Sequence, residues 1–303
     1  MRLPDGKSAS AGNSGARRIH GTGDDWLRPF AADRSQVTAV IEAQAPVTLY
    51  RKGMMLKTAD IRDALVEEYQ RNPFQPMIEL KGACFWADEP AIIGTPNFEY
   101  IEHELEWYRS QSLNINDIPG GAPLMWRRTA NPEGRVNSNY GWVLWSEENG
   151  SQFDRIVDEL RRDYASRRAV CIYTRPTMHV DQKLGGQGQD FMCTNAVHYS
   201  INAQFRTLEA VVQMRSNDVV FGYRNDYAWQ VHALEAIRHE LSQDYPGLST
   251  GRIIWQAASL HVYPRHYRLL REAGEGRSLP RLRELLHGRA DDSVAGIVDG
   301  DVA

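Results

Sequence analysis

Apolar residues recur along this chain with two periods, near four in some stretches and near two in others. Ile61, Leu65 and Tyr69 share one face of a helix that Thr58 would cap and that runs to about Arg71. Pro73 and Pro76 end it, and residues 77–86 read as a strand. Phe98, Ile101, Leu105 and Tyr108 predict an amphipathic helix over 97–111. Phe153, Ile156, Leu160 and Tyr164 predict a second, followed by a strand over 169–174. Strands at 196–201 and 206–214 flank a short turn at Asn202-Ala203. A helix over 226–241 offers Trp229, Val231, Leu234 and Ile237 to a core, and 252–263 reads as another strand. Residues 37–49 read as strand or extended chain, and 280–287 as a short helix. Strands and helices mix without a regular βαβ rhythm. The expected fold class is therefore α/β (or α+β), one domain with a mixed β-sheet flanked by helices.

Composition sets the limits. Residues 1–35 are rich in Gly, Ser, Ala, Arg and Asp and read as a disordered leader. A folded domain over 36–270 follows, then a C-terminal helix and acidic tail over 271–303. Residues 112–140, rich in Gly, Pro and Asn, read as a long loop holding Trp126 and Tyr140. A net charge of -4 over 303 residues gives no general basic field, so no nucleic acid is expected as partner. No apolar run of about 18 residues is present, so no membrane span is expected. Cys84, Cys171 and Cys193 show no disulfide spacing, which suits free thiols in a reducing cytoplasm. No metal is expected either. His103-Glu104 is not a zinc motif, because Trp107 stands where the second His belongs. Residues 185–188 resemble a phosphate loop only in their glycines and read as a turn before Cys193.

Candidate chemistry concentrates between Cys193 and Tyr263: a thiol, a polar loop from Arg215 to Asp226, and a His261-x-Tyr263 pair. With His103-Glu104-Leu105-Glu106-Trp107, Trp126 and Tyr140 fourteen apart, and Ser166-Arg167-Arg168, these form an ordered series. Arg215-Ser216-x-Asp218-x3-Gly222 completes it. Over roughly residues 60–265 the series resembles the thymidylate synthase and deoxypyrimidine hydroxymethylase superfamily, nearest its dCMP hydroxymethylase branch. The resemblance implies a thymidylate-synthase-like catalytic domain and a homodimer packed through its sheets. It also implies a pyrimidine nucleoside monophosphate substrate and 5,10-methylenetetrahydrofolate as co-substrate. Cys193 would be the nucleophile, Glu104 the proton relay, and Tyr140 and Asp226 further catalytic groups. Arg215 and Ser216 would bind the 5′-phosphate, with Arg71 a further candidate and Arg167 and Arg168 reaching across the dimer. His261 and Tyr263 would hold the sugar, while Trp126, Asp218 and Gly222 would line the folate site. Nearby arginines would stabilise a Cys193 thiolate.

The departures bear on the base. After Gly222 the synthases read x-P-F-N; this chain reads Tyr223-Arg224-Asn225-Asp226, so the base-reading Asn has become Asp. Thr194 replaces the usual His after the nucleophile, and His198 the Gln further on. A folate-contacting Lys is missing near Gly94, and no closing segment is recognisable after Tyr267. Asp226 suits cytosine, and the implied product is 5-hydroxymethyl-dCMP. Hydroxymethylation of CMP or dUMP, true synthesis of dTMP, and a non-catalytic nucleotide- or RNA-binding homologue remain the alternatives.

Overall fold

A computed structural model describes residues 50–51, 54–181 and 190–275, all within the unit formed by residues 46–303. The expected leader, the strand at 37–49, the turn at 185–188, the helix at 280–287 and the tail from Asp291 lie outside the described residues. Short strands β1 (Tyr50–Arg51) and β2 (Met54–Met55) form a separate antiparallel pair. Helix α1 (Thr58–Arg71) follows, capped differently from expectation. Lys57 is the cap, and its N–H donates to Asp60 at 2.8 Å. The Thr58 hydroxyl instead accepts from the Asp88 N–H at 3.2 Å.

Among the described residues the main sheet has six strands: β3 (Ile78–Trp86), β4 (Val170–Ile172), β5 (Thr194–Asn202), β6 (Thr207–Met214), β7 (Asn217–Asp218) and β8 (Ser249–Val262). Five of them run in the order β3-β8-β6-β5-β4, with β7 also paired to β8. Among the described residues the β6–β8 and β7–β8 pairs are parallel and the other strand pairs antiparallel, so the sheet is mixed. Burial alternates strictly along β6, with Leu208, Ala210, Val212 and Met214 in the core. The turn before it spans 203–206, longer than expected, with Arg206 at φ 52°.

The helices bury the sheet's core face. On α2 (Phe98–Ser110) the covered residues are Ile101, Glu104, Trp107 and Tyr108. Phe98, expected there, is 66% exposed beside the cap, where Asn97 Oδ1 accepts from the Tyr100 N–H. A carboxylate thus stands on the core side of an amphipathic helix, which an inert core would not accept. The 112–140 stretch is not simply loop: Trp126 sits on α3 (Leu124–Thr129), and Tyr140 opens α4 (Tyr140–Trp145). Gly141 lets α4 lie against α2, since a Cβ there would come 1.8 Å from the Tyr108 carbonyl oxygen. Helix α5 (Gln152–Arg162) ends before Tyr164, which is left exposed; a four-residue α6 (Met178–Asp181) follows β4. Helix α7 (Gly222–Leu241) starts four residues earlier than expected and buries Trp229, Leu234 and Ile237, while Val231 is 40% exposed. Helix α8 (Tyr267–Gly274), unexpected from the sequence, packs against α1.

Candidate active site

The sheet builds the site by interrupting itself. Strand β6 ends with Met214 opposite Ala257, and β7 resumes with Asn217 opposite Leu260. Arg215 and Ser216 fall in the gap, released from the β8 ladder. Across from them β5 carries a bulge between Thr194 and Ala196, a device that re-aims side chains beside sites. The Arg215 N–H donates to the Cys193 carbonyl at 2.9 Å. The Arg215 guanidinium donates to Met192 O at 2.8 Å and Phe191 O at 2.6 Å and stands 3.8 Å from Cys193 Sγ. Thus one arginine is braced by backbone and set beside the thiol.

The thiol is not a resting thiolate. Burial pushes Cys193 up to about 11; Arg215 pulls it down, while Asp226, Asp190 and Asp218 push it up. The expected thiolate stabilisation is therefore present in direction but outweighed by lost hydration. Alkylation of Cys193 by iodoacetamide should be slow at pH 7 and accelerate as pH rises towards 11. Arg215→Ala should slow it further at each pH, because the neutral thiol is then favoured more. A rate that is already maximal at pH 7 would contradict this ordering.

Two carboxylates face the same region. Glu104 Oε1 accepts from Tyr100 Oη at 2.8 Å and from Trp126 Nε1 at 3.0 Å. Burial pushes its carboxyl up, and these donors with Asn225 draw it back. Asp226 is pushed up to about 7, first by burial and then by the Glu104 charge; Tyr140 and Asn217 oppose this. Asn217 Nδ2 donates to Asp226 Oδ2 at 2.8 Å. Asp226 lies one turn inside α7, whose cap position is Phe221, so it is not the helix cap. Its cost in the fold needs another reason, and a neutral carboxyl near pH 7 can both donate and accept.

Tyr140 is buried and accepts from the Thr194 hydroxyl at 3.1 Å. Thr194 therefore ties the bulged strand to α4. Asp190 holds the approach to α4, accepting from the Asn137 and Ser138 N–H groups at 2.5 and 2.8 Å. Strands β7 and β8 set Asp218 opposite His261. Ser259 Oγ lies 2.5 Å from Glu79 Oε1 and 3.2 Å from His261 Nδ1. The hydroxyl has one proton and gives it to the carboxylate, so in the neutral ring Nδ1 carries hydrogen and Nε2 accepts. Tyr263 lies 4.9 Å from the His261 ring. Asp218 Oδ1 accepts from the Val220 N–H, and Oδ2 is 3.6 Å from Arg265. Gly222 keeps α7 close: its added Cβ would lie 3.2 Å from Asn217 Nδ2.

Of the three other predicted arginines, two are engaged by other partners within this protomer. Arg71 pairs with Glu67 at 3.0 Å and with Glu68, both on its own helix. Arg168 bonds Glu159 at 3.0 Å, and Arg167 is exposed beside it. Val170 pairs with His198, which sets Arg168 level with Ser200, seven residues along β5 from Cys193. At about 3.3 Å per residue that is roughly 20 Å, too far for one protomer to use both at one phosphate. Tyr100, Glu79, Ser259 and Asp190 join the site without belonging to any of the motifs above. Tyr100 was findable, standing one turn before Glu104 on the same helix; the other three meet their partners only through the sheet or across loops.

Comparison with known proteins adds a second line. The family model described as Thymidylate synthase matches residues 95–290. The deoxycytidylate 5-hydroxymethyltransferase of Enterobacteria phage T6 is 51% identical over 195 residues, 64% of this chain and 78% of that one. A thymidylate synthase of Francisella tularensis subsp. holarctica is 25% identical over 196 residues, 61% of this chain and 69% of its own. Among solved structures, thermostable thymidylate synthase A from Bacillus subtilis aligns with a TM-score of 0.51 at 19% identity. It covers 72% of this chain and 84% of that one, a likeness of fold alone.

Proposed function

This chain belongs to the thymidylate synthase family, and we propose that it converts dCMP to 5-hydroxymethyl-dCMP with the one-carbon unit of 5,10-methylenetetrahydrofolate. The observation that carries the choice of base is Asp226 at the base-reading position, raised to about 7 and held through Oδ2 by Asn217 at 2.8 Å. Its half-neutral carboxyl can donate to cytosine N3 and accept from N4. The 51% identity to a phage deoxycytidylate hydroxymethyltransferase, against 25% to a thymidylate synthase, supports the same choice. A cytoplasmic location, in a host cell if the chain is virus-encoded, goes with the free thiols Cys84, Cys171 and Cys193. Among the described residues no helix is long and apolar enough to cross a membrane.

The side chains fit the co-substrate. Asp218 offers a carboxylate to the donor edge of a pterin, and Phe221, exposed with its ring edge-on to His266, offers a flat apolar surface nearby. Trp126, partly covered, would line the same space as Gly222. When bound, methylenetetrahydrofolate supplies a carbon at the oxidation level of formaldehyde. The residues do the rest. Cys193 Sγ adds to C6 as its proton leaves, and C5 becomes an enamine carbon that can attack the one-carbon unit. The Glu104 network receives and returns protons as C5 loses its hydrogen. As the C5 proton leaves, the C–N bond to the carrier breaks with its pair on nitrogen, leaving an exocyclic methylene on C5; water then adds to it, the S–C6 bond breaks, and Sγ leaves with the bonding pair. His261 Nε2 and Tyr263 receive the sugar hydroxyl, while Arg215 and Ser216 hold the phosphate, with Arg71 a further candidate.

The phosphate site is completed by Arg167 and Arg168 of a second copy, which makes the working unit a homodimer. Cys193→Ala and Arg168→Ala chains, each inactive alone, should regain dCMP turnover when mixed and allowed to exchange. Equal exchange yields hybrids with one intact site, so recovery should approach about a quarter of wild type. No recovery despite demonstrated exchange would remove the shared site.

A further inference from the structure

We infer that Asn217 is a specificity-determining residue: by donating to Asp226 Oδ2 it fixes which carboxyl oxygen carries the proton, and so makes an ambidextrous acid read cytosine. The inference rests on the cytosine reading of Asp226 and deepens it. A neutral carboxyl has one O–H and one C=O. Facing cytosine, the O–H meets N3 and the C=O meets the N4 amine. Facing uracil, the same group reversed offers C=O to N3–H and O–H to O4. Asp226 alone therefore matches both bases.

The structure breaks that symmetry. Asn217 is buried, with its Nδ2 2.8 Å from Asp226 Oδ2. Its Oδ1 has no hydrogen-bond partner among the described residues, so Asp226 is what orients the amide. The Tyr140 hydroxyl also bonds the Asp226 carboxyl, but it can turn to donate or accept, whereas the Asn217 N–H aimed at Oδ2 makes that oxygen the acceptor and leaves the proton to Oδ1. Oδ2 then faces N4 and takes two donors, Asn217 N–H and cytosine N4–H, one for each lone pair. Uracil would need Oδ2 to carry the proton instead. Turning the Asn217 amide over does not relieve this, because one proton cannot serve both uracil O4 and Asn217 Oδ1. A buried mismatch of that kind costs on the order of tenfold or more in binding. Titratable groups acting on Asp226 from the surrounding elements are Glu104 and Tyr108 on α2, Tyr140 on α4, Cys193 before β5 and Asp218 on β7.

The test is calorimetric binding of dCMP and of dUMP to the full chain, wild type against Asn217→Ala, across pH 6–9. The ratio of dUMP to dCMP dissociation constants should fall about tenfold in the variant, chiefly because dUMP binds more tightly. The pH at which dCMP binding is lost should also rise, since a donor that favours the charged carboxylate is gone. Asn217→Leu, which keeps the branching and heavy-atom count of Asn and lacks the donor, should give the same ratio change where Asn217→Ala folds poorly. Loss of both nucleotides' binding by one common factor, with ratio and pH unchanged, means a structural role and overturns the inference. Wild type preferring dUMP overturns the cytosine reading itself, and is distinguishable because it needs no variant.

Discussion

Cys193→Ala is expected to lower dCMP turnover at least about ten-thousand-fold, some 5.5 kcal/mol of barrier, while leaving nucleotide binding near wild type. The magnitude follows from the route. Without addition at C6 the pyrimidine C5 is not nucleophilic, and no neighbouring group can replace the bond. Asp190, Asp226 and Glu104 are carboxyls already held by Ser138, Asn217 and Trp126. Binding should survive because phosphate and sugar contacts come from Arg215, Ser216, His261 and Tyr263, and Arg215, the one of these that stands 3.8 Å from Sγ, keeps its bonds to the Met192 and Phe191 carbonyls. Turnover near the wild-type rate in this variant would contradict covalent catalysis; loss of dCMP binding alongside turnover would point to collapse of the site.

The second large effect concerns the base. Asp226→Asn should shift the kcat/KM preference towards dUMP by at least about tenfold, or 1.4 kcal/mol. An amide oxygen accepts from uracil N3–H and its NH2 donates to O4. The Asn217 amide can turn over to accept the second hydrogen of that NH2, since its Oδ1 has no other partner among the described residues. The variant keeps shape and loses the acid, so the alkaline fall in dCMP use set by a carboxyl near 7 should also disappear. An unchanged dCMP/dUMP ratio would show that Asp226 does not read the base.

The site's members were legible because chemistry leaves dense local marks. Arg215 to Gly222 holds a break between strands, a turn and a helix start in eight residues, and no inert loop needs that set. Glu104 was legible through its motif, and its place on the buried face of α2 now supplies the physical reason. What stayed hidden were relations across the sheet. Ser259 reaches Glu79 because β3 and β8 pair, a contact 180 residues apart in sequence. The parallel pairing of β6 with β8 is likewise set by packing and not by the pattern of either strand alone. Phe98 and Val231 show the limit of periodicity: both fit an apolar stripe, yet each lies at its edge, where a helix turns towards solvent. The thiol's proton meets the same limit. Counting arginines gives the sign of their effect, whereas burial, which outweighs it, belongs to the folded chain.

One assay tests the central claim most directly. The purified chain is incubated with 5,10-methylenetetrahydrofolate and, separately, dCMP, dUMP and CMP, and both nucleotide product and folate form are identified by mass spectrometry. The account predicts 5-hydroxymethyl-dCMP and tetrahydrofolate in equal amounts, with dCMP the fastest substrate. Formation of dTMP with dihydrofolate, or no reaction with any of the three, would contradict it.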